Sequence, residues 1–326
     1  MNPKVSVIIP NYNHAKFLDQ RIDSVLKQTY QNFEIIILDD CSTDLSKGVI
    51  ESYKNYSQVA LIIYNEENSG STFLQWRKGF LHAKGEYIWI AESDDYADVN
   101  LLNDLVAIFS KTPDVGLAYC ASYSVNKDGQ IIGEYNREVP LNKENIYIEE
   151  GGIEVAKHFF YSNAIPNASA VVFKKELIKN IGETFLKYKI CGDWQFWVEA
   201  LLQTKIAYTK RPLNLFRQTS TSVSRKPSAS GLRTYHMERL EIATFIKCTG
   251  NNVSRDEAKS YCEDFLFQIF NQNIRRKIRL ERTHWKVIFQ ELKKIHPNIL
   301  SVTINVIGKL ILLIAKYPFK KKEVEE

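Results

Sequence analysis

The sequence predicts an α/β fold on a parallel, doubly wound sheet, followed by a helical C-terminal region. Three observations carry this prediction. Apolar strand-like runs alternate with helix-patterned segments through the first hundred residues. Those runs are apolar throughout rather than alternating, as expected of strands covered on both faces. From about Gly231 the strand pattern stops, and aromatic and basic residues follow at helical spacing.

Val5–Ile9 reads as the first strand, stopped by Pro10 and followed by the polar loop Asn11-Tyr12-Asn13-His14. Phe17, Leu18, Ile22, Val25 and Leu26 then share one helical face. Phe33–Leu38 is the second strand and ends in Asp39-Asp40-Cys41-Ser42-Thr43-Asp44. Ser42 or Asp44 would cap a helix over Leu45–Tyr53. Val59–Tyr64 is the third strand, with a polar loop over Asn65–Ser71 and a helix over Phe73–Ala83. Gly85 takes the left-handed position that closes such a helix. Tyr87–Ala91 is the fourth strand. Three strand–helix units and a fourth strand make a parallel sheet with right-handed crossovers.

A helix follows from Asp98 to about Ser110. Val115–Val125 and Gln130–Tyr135 form a hairpin about Asn126–Gly129. Gly151–Phe160 reads as helix, Ala168–Phe173 as strand, and Trp194–Leu202 as a helix too apolar to be exposed. Lys205–Tyr208 and Leu213–Arg217 read as two further strands, and Thr219–Ser230 as a loop or linker. The division is a sheet domain over 1–228 and a helical region over 229–326.

Composition is that of a soluble globular protein, 44% hydrophobic and 25% charged. Five widely spaced cysteines with no C-x-x-C speak against a disulfide framework or zinc cluster and for a reducing compartment. The N-terminus lacks the layout of a signal peptide. Net charge is +5, but residues 270–326 alone carry +8 and the remainder −3. Asn298–Ala315 pairs a wide apolar arc with a thin stripe of Ser301, Asn305, Gly308 and Lys309, and Lys316 and Lys320–Lys322 follow. That pattern is a poor transmembrane span, and it suits either a helix lying in a membrane interface or one packed on protein.

The chemistry concentrates at strand ends. Glu92, Ser93, Asp94 and Asp95 put three carboxylates into four residues directly after a buried strand. Left dry they repel one another, so solvent, a divalent cation or a cationic partner must hold them. Ligands of open α/β sheets bind at the carboxyl ends of strands, and Mg²⁺ or Mn²⁺ there bridges to phosphates. The plainer reading is a polar turn with Asp98 as a helix cap. Neither G-x-G-x-x-G nor G-x-x-x-x-G-K-[ST] is present, so a cation would manage any phosphates. Asp193, at the start of the apolar helix, reads from its position alone as a cap.

Taken together, four blocks resemble the inverting family 2 glycosyltransferases of bacterial glycan assembly, which have the GT-A fold: a mixed, Rossmann-like sheet with helices on both faces. The blocks are VSVIIPNYNHAKFLDQRIDSVLKQTYQNFEIIILDDCSTD, NSG at Asn68–Gly70, KGFLHAKGEYIWIAESDD at Lys78–Asp95, and CGDWQFW at Cys191–Trp197. The resemblance covers roughly Lys4–Ser224. It implies that Pro10 and Tyr12 flank a nucleotide base, Asp40 hydrogen-bonds it, and Asp94 contacts the ribose or sugar. It implies Arg77 as a diphosphate contact, Asp95 as the ligand of Mn²⁺ or Mg²⁺, and Asp193 as the base that deprotonates the acceptor. Three positions depart from the family pattern: Glu92 where Asp is more frequent, Trp76-Arg77 for Arg-Asn, and Arg217-Gln218-Thr219 for Arg-x-His.

The expected function is sugar transfer from a nucleotide-diphosphate donor, UDP-linked by preference, to a glycan or lipid-linked acceptor in cell-surface polysaccharide synthesis. The expected location is cytoplasmic, peripheral to the inner face of the membrane. No nucleic-acid partner is expected, and a homo-oligomer is allowed. The alternative is a non-catalytic nucleotide-sugar-binding or scaffold protein with a decayed site. A nucleotidyltransferase would need a basic, glycine-rich loop where Pro10–Ala15 has neither Gly nor Lys.

Overall fold

The computed structural model describes residues 4–218, 229–249, 253–274 and 280–316. The chain divides into two compact units: residues 1–155 with 163–226, and residues 156–162 with 227–326. The domain boundary expected at 228 and the loop expected over Thr219–Ser230 lie almost wholly outside the described residues, as do Lys320–Lys322.

Among the described residues ten strands run in chain order as β1 Val5–Asn11, β2 Phe33–Asp39, β3 Val59–Tyr64, β4 Tyr87–Ile90, β5 Tyr96–Ala97, β6 Val115–Val125, β7 Ile131–Tyr135, β8 Ile146–Glu150, β9 Val171–Lys174 and β10 Lys205–Arg217. The sheet order is β3-β2-β1-β4-β9-β6-β10-β5, with β7 beside β6 and β8 beside β10. The first four strands are parallel, with Val5 opposite Phe33 on one side and Tyr87 on the other. β9 enters antiparallel to β4, which makes the sheet mixed. The two late strands expected separately are one, β10, irregular between Thr209 and Asn214 around Pro212. Pro212 has no N–H to give a ladder, so the register shifts there without breaking the strand.

Helices of this unit are α1 Ala15–Leu26, α2 Ser46–Tyr53, α3 Thr72–His82, α4 Leu101–Lys111, α5 Gly151–Glu154 and α6 Gly192–Leu201. They cover both faces of the sheet, and β1 shows why its run had to be apolar throughout. Val5, Val7 and Ile9 join one core with Leu18, Ile22, Ile50 and Leu105. Ile8, on the other face, lies so close to Gly79 of α3 that a Cβ there would sit 2.5 Å from it. On that second face Trp76, Phe80, Phe173, Phe196 and Trp197 pack ring against ring. Gly85 serves differently from expectation. Its φ is not positive, but a Cβ would lie 2.5 Å from the Ser6 amide nitrogen, so it is a point of close approach to β1. The helix expected over Gly151–Phe160 is a single α turn followed by a π turn over Val155–Phe159.

The second unit holds α7 Ala229–Cys248, α8 Arg255–Ile274, α9 Arg282–Ile295 and α10 Ile299–Lys316. α7 packs on α9 and α10 on α8, through residues such as Leu240, Ile246, Phe265, Ile269, Leu292 and Val306. No helix among the described residues is long and apolar enough to cross a membrane; α9 and α10 meet at a 116° bend. The apolar arc of α10 is divided. Val302, Val306 and Leu310 are buried, whereas Leu300, Ile304, Ile307 and Ile311 stay exposed along one edge. Lys309 is paired to Glu263 at 2.7 Å.

Candidate active site

The carboxyl ends of β1, β2 and β4 open on one crevice of about 530 Å³, lined by Pro10, Tyr12, Asp40, Phe73, Glu92 and Asp94 among others. This is the position that a doubly wound sheet reserves for ligands. Tyr12 is 46% exposed, so its ring is available to a flat partner. The loops behind it are knitted by Asn13, whose backbone is left-handed at φ 56°. Its Oδ1 accepts from the Thr43 amide at 2.8 Å, and its own amide donates to Ser42 Oγ at 2.9 Å. Asp44 receives the Ala15 amide on one oxygen and the Ser46 amide on the other, each at 2.9 Å, and so fastens the starts of α1 and α2 together.

Asp40 is buried and fully engaged. Its Oδ1 accepts from Asn65 at 2.6 Å, the Ser69 amide at 3.0 Å and Gln75 at 2.9 Å. Its Oδ2 accepts from Ser69 Oγ at 2.8 Å and Asn68 at 3.2 Å. The Asn68–Gly70 loop is thereby folded around this carboxylate.

The turn after β4 is different. Asp95 is buried, and its oxygens belong to the protein: Oδ1 accepts the Arg217 amide at 2.8 Å, and Oδ2 accepts Asn167 at 2.8 Å and Ser169 Oγ at 2.7 Å. It is absent from the crevice lining. This departs from the expectation that Asp95 faces a metal: a carboxylate at the last position of the turn points into the sheet, where β10 and the segment before β9 close over it. Asp94 and Glu92 line the crevice instead. Glu92 accepts the Trp76 indole N–H at 2.8 Å. Two of the departures from the family pattern thus meet, the longer glutamate reaching the indole that stands in place of arginine.

Two guanidiniums lie beneath the turn. Arg21 is wholly buried; its Nε donates to the Glu92 carbonyl at 2.8 Å and its Nη2 lies 4.0 Å from Asp95. Arg217 donates through Nε to the Asp94 carbonyl at 2.7 Å and sits over the Phe17 ring at 4.5 Å. Burial raises the Glu92 carboxyl to about 8, against the pull of the indole bond and with added repulsion from Asp94 and Asp95. Burial and then the Asp94 charge raise Asp95 to about 6, and burial raises Asp94 as well. Carboxyls displaced in this way beside a cleft mark a candidate functional site.

Asp193 sits in the first turn of α6, where Asn163 donates to its Oδ2 at 2.9 Å. It is not among the crevice-lining residues, although Lys189 and Ile190 just before it are. Arg77 is not brought to the site. It lies half-exposed in an ion pair with Glu183 at 2.8 Å, because α3 turns Trp76 inward and Arg77 outward. The sequence assigned no site role to Arg21 or Gln75, and no part in the acidic turn to Asn167 and Ser169. Arg21 had a signal, since it falls between Leu18, Ile22 and Val25 on the buried stripe of α1. Gln75 and Ser169 had none, being ordinary polar residues until the fold closes on them.

Among the described residues no group of three His, Cys, Asp or Glu side chains is placed to hold a metal ion. The sequence matches the family described as glycosyl transferase family 2 over residues 6–165. It is 30% identical over 233 residues to the glycosyltransferase GlyG of Streptococcus pneumoniae serotype 4, covering 69% of this chain and 74% of that one. It is 38% identical over 93 residues to the putative teichuronic acid biosynthesis glycosyltransferase TuaG of Bacillus subtilis, covering 28% of this chain and 36% of that one. Among solved structures, residues 1–349 of Staphylococcus aureus TarS in complex with UDP-GlcNAc superpose with a TM-score of 0.69 at 18% identity, covering 98% of this chain and 93% of that one. A mixed sheet with its acidic crevice at the strand ends, a match to the family's own pattern and a relative alike over most of its length lead to one assignment: the chain belongs to the family 2 glycosyltransferases and is a glycosyltransferase of GT-A fold.

Proposed function

We propose that the crevice binds a UDP-sugar and that the enzyme passes its sugar, with inversion, to a hydroxyl of a glycan or lipid-linked acceptor in cell-surface polysaccharide synthesis. The observation that carries this reading is the pairing, in one crevice, of the exposed Tyr12 ring with the half-buried carboxylates Glu92 and Asp94. Pro10 and Tyr12 offer surfaces to the base. Asp40 would meet the base's edge only by releasing one of its five donors, and Asn68 at 3.2 Å is the longest of these. Choice of UDP is supported by the structural neighbour TarS, which was solved with UDP and with UDP-GlcNAc.

The residues present fit Mn²⁺ or Mg²⁺, with Asp94 rather than Asp95 as the protein ligand and Glu92 beside it. Asp94 faces the crevice with a carboxyl raised by burial, and both oxygens of Asp95 are occupied. So small a protein donor set suits hard cations that complete their shell with phosphate oxygens and water. Such an ion, when bound, offsets the charge of the departing diphosphate. Asp193, oriented by Asn163, takes the proton of the acceptor hydroxyl. The hydroxyl oxygen bonds the anomeric carbon as the bond to the diphosphate oxygen breaks on the opposite side, which inverts the centre. The exposed edge of α10 together with the basic C-terminal sequence supports seating on an anionic membrane face. Membrane partition of a chain ended after Pro297 tests this, and unchanged partition would sink it.

The test of the activity is a panel of UDP-, GDP- and dTDP-sugars with and without Mn²⁺. Metal-dependent release of UDP, lost in Asp94→Asn, is expected. Absence of any nucleotide binding by calorimetry would favour a binding or scaffold protein with a decayed site.

A further inference from the structure

The helical unit contains a cavity of about 370 Å³ that shares no residue with the acidic crevice. Two helices that should present apolar stripes to each other present polar ones there. α7 contributes Tyr235, His236 and Arg239, and α8 contributes Tyr261, Asp264 and Gln272. Arg239 is 6% exposed, yet no carboxylate among the described residues lies within ion-pair reach of it. Its guanidinium donates through Nη1 to Gln268 at 2.7 Å, meets the Tyr261 hydroxyl, and rests over the Tyr261 and Phe265 rings at 5.6 and 5.2 Å. Its Nε has no partner. A buried guanidinium without a counter-charge is costly, and native proteins rarely keep one that nothing meets.

His236 adds a second unmet group. It is 2% exposed, its Nε2 meets Gln272 Oε1 at 2.8 Å, and its Nδ1 has no partner. Because an amide oxygen accepts, Nε2 carries the proton and Nδ1 presents a lone pair. Burial pushes the ring down to about 4, so it is neutral at pH 7. The cavity therefore lacks an anion for Arg239 and a hydroxyl-type donor for His236, and tyrosine rings wall it. Asp264 stands exposed at the rim.

We propose that this cavity binds an acidic saccharide, with Arg239 receiving its phosphate or carboxylate, His236 Nδ1 accepting from a hydroxyl, and the tyrosine rings meeting the C–H face of the sugar. The assignment of that saccharide to the acceptor side rests on the transferase reading above. Binding itself is read without donor nucleotide, so failure here and failure of UDP binding are separate results.

The experiment is calorimetry on the full chain with glucose 1-phosphate, glucuronate, glucose and inorganic phosphate, in native protein and in Arg239→Gln, Asp264→Asn and Tyr12→Ala. Saturable binding of glucose 1-phosphate or glucuronate is expected, with glucose and inorganic phosphate weaker, and the two acids tell phosphate from carboxylate. Arg239→Gln should weaken it at least about tenfold, the worth of a charge-assisted contact. Asp264→Asn should tighten it about threefold by removing a like charge at the rim, an effect that a purely structural role for the cavity does not produce. Tyr12→Ala should leave it unchanged. Should Arg239→Gln fail to fold by circular dichroism, Asp264→Asn decides alone. No saturable binding, inorganic phosphate binding as tightly as the sugar acids, or affinity insensitive to Asp264→Asn would each overturn the proposal.

Discussion

The turns after β2 and after β4 both end a buried strand in paired aspartates. The fold treats them oppositely. Asp39 and Asp40 are met by neutral donors: Asn11 and Ser42 for the first, and Asn65, Asn68, Ser69 and Gln75 for the second. Glu92, Asp94 and Asp95 are packed with one another over two buried guanidiniums, and burial raises all three carboxyls. A carboxylate satisfied by amides and hydroxyls organises loops. Glu92 and Asp94 line the open crevice with raised carboxyls, whereas Asp95 behind them is satisfied by Asn167, Ser169 and the Arg217 amide. What separates structural acid from chemical acid is therefore the neighbours' charge, not the acid's own spacing.

Four substitutions break or sharpen that contrast. Asp94→Asn should reduce sugar transfer by about a thousandfold, or about 4 kcal/mol in the barrier, while the melting temperature holds or rises. A melting temperature that falls instead would place Asp94 with the structural acids. Arg217→Met should cost about 3 kcal/mol of stability, because it strips a buried cation from under the acidic turn; denaturant unfolding checks this, and a neutral result would mean that Arg21 alone suffices. Asp40→Asn should cost about 2 kcal/mol, since the amide cannot accept as many donors as the carboxylate did, with the loss read in the same unfolding curves. A gain in stability there would erase the distinction between the two turns. Arg77→Ala should change stability and turnover by less than about 0.5 kcal/mol, as exposed ion pairs generally do. A large loss of turnover would restore Arg77 to the site.

Much of this was legible beforehand. The first four strands as a parallel set, the crevice at their ends and the burial of α6 follow from unbroken apolar runs and from Trp194, Phe196 and Trp197. Resemblance then marked Tyr12, Asp40 and Asp94, which the fold does bring into one crevice. What stayed hidden depends on chain segments far apart. Whether Asp94 or Asp95 faces outward is decided by Asn167, Ser169 and Arg217, which lie more than seventy positions later. Arg77 was misplaced because one step along α3 exchanges the inward and outward faces. The short strand β8 escaped notice because Ile146–Glu150 is half-buried and too brief to show a period.

The clasp of Arg217 on Asp95 spans 122 positions of sequence. During synthesis, β1, β2 and β4 are available to pair long before β10 leaves the ribosome, so the nascent sheet carries an acidic turn still open to water. Docking of β10 then brings the Arg217 amide to Asp95 and the Arg217 guanidinium beneath the turn. We predict that a fragment ending at Thr204 keeps parallel-sheet circular dichroism but shows no cation-dependent thermal shift. A native-like shift in that fragment would refute it. Competence would thus be conferred late, by the last strand of the sheet, on acids that were made in its first third.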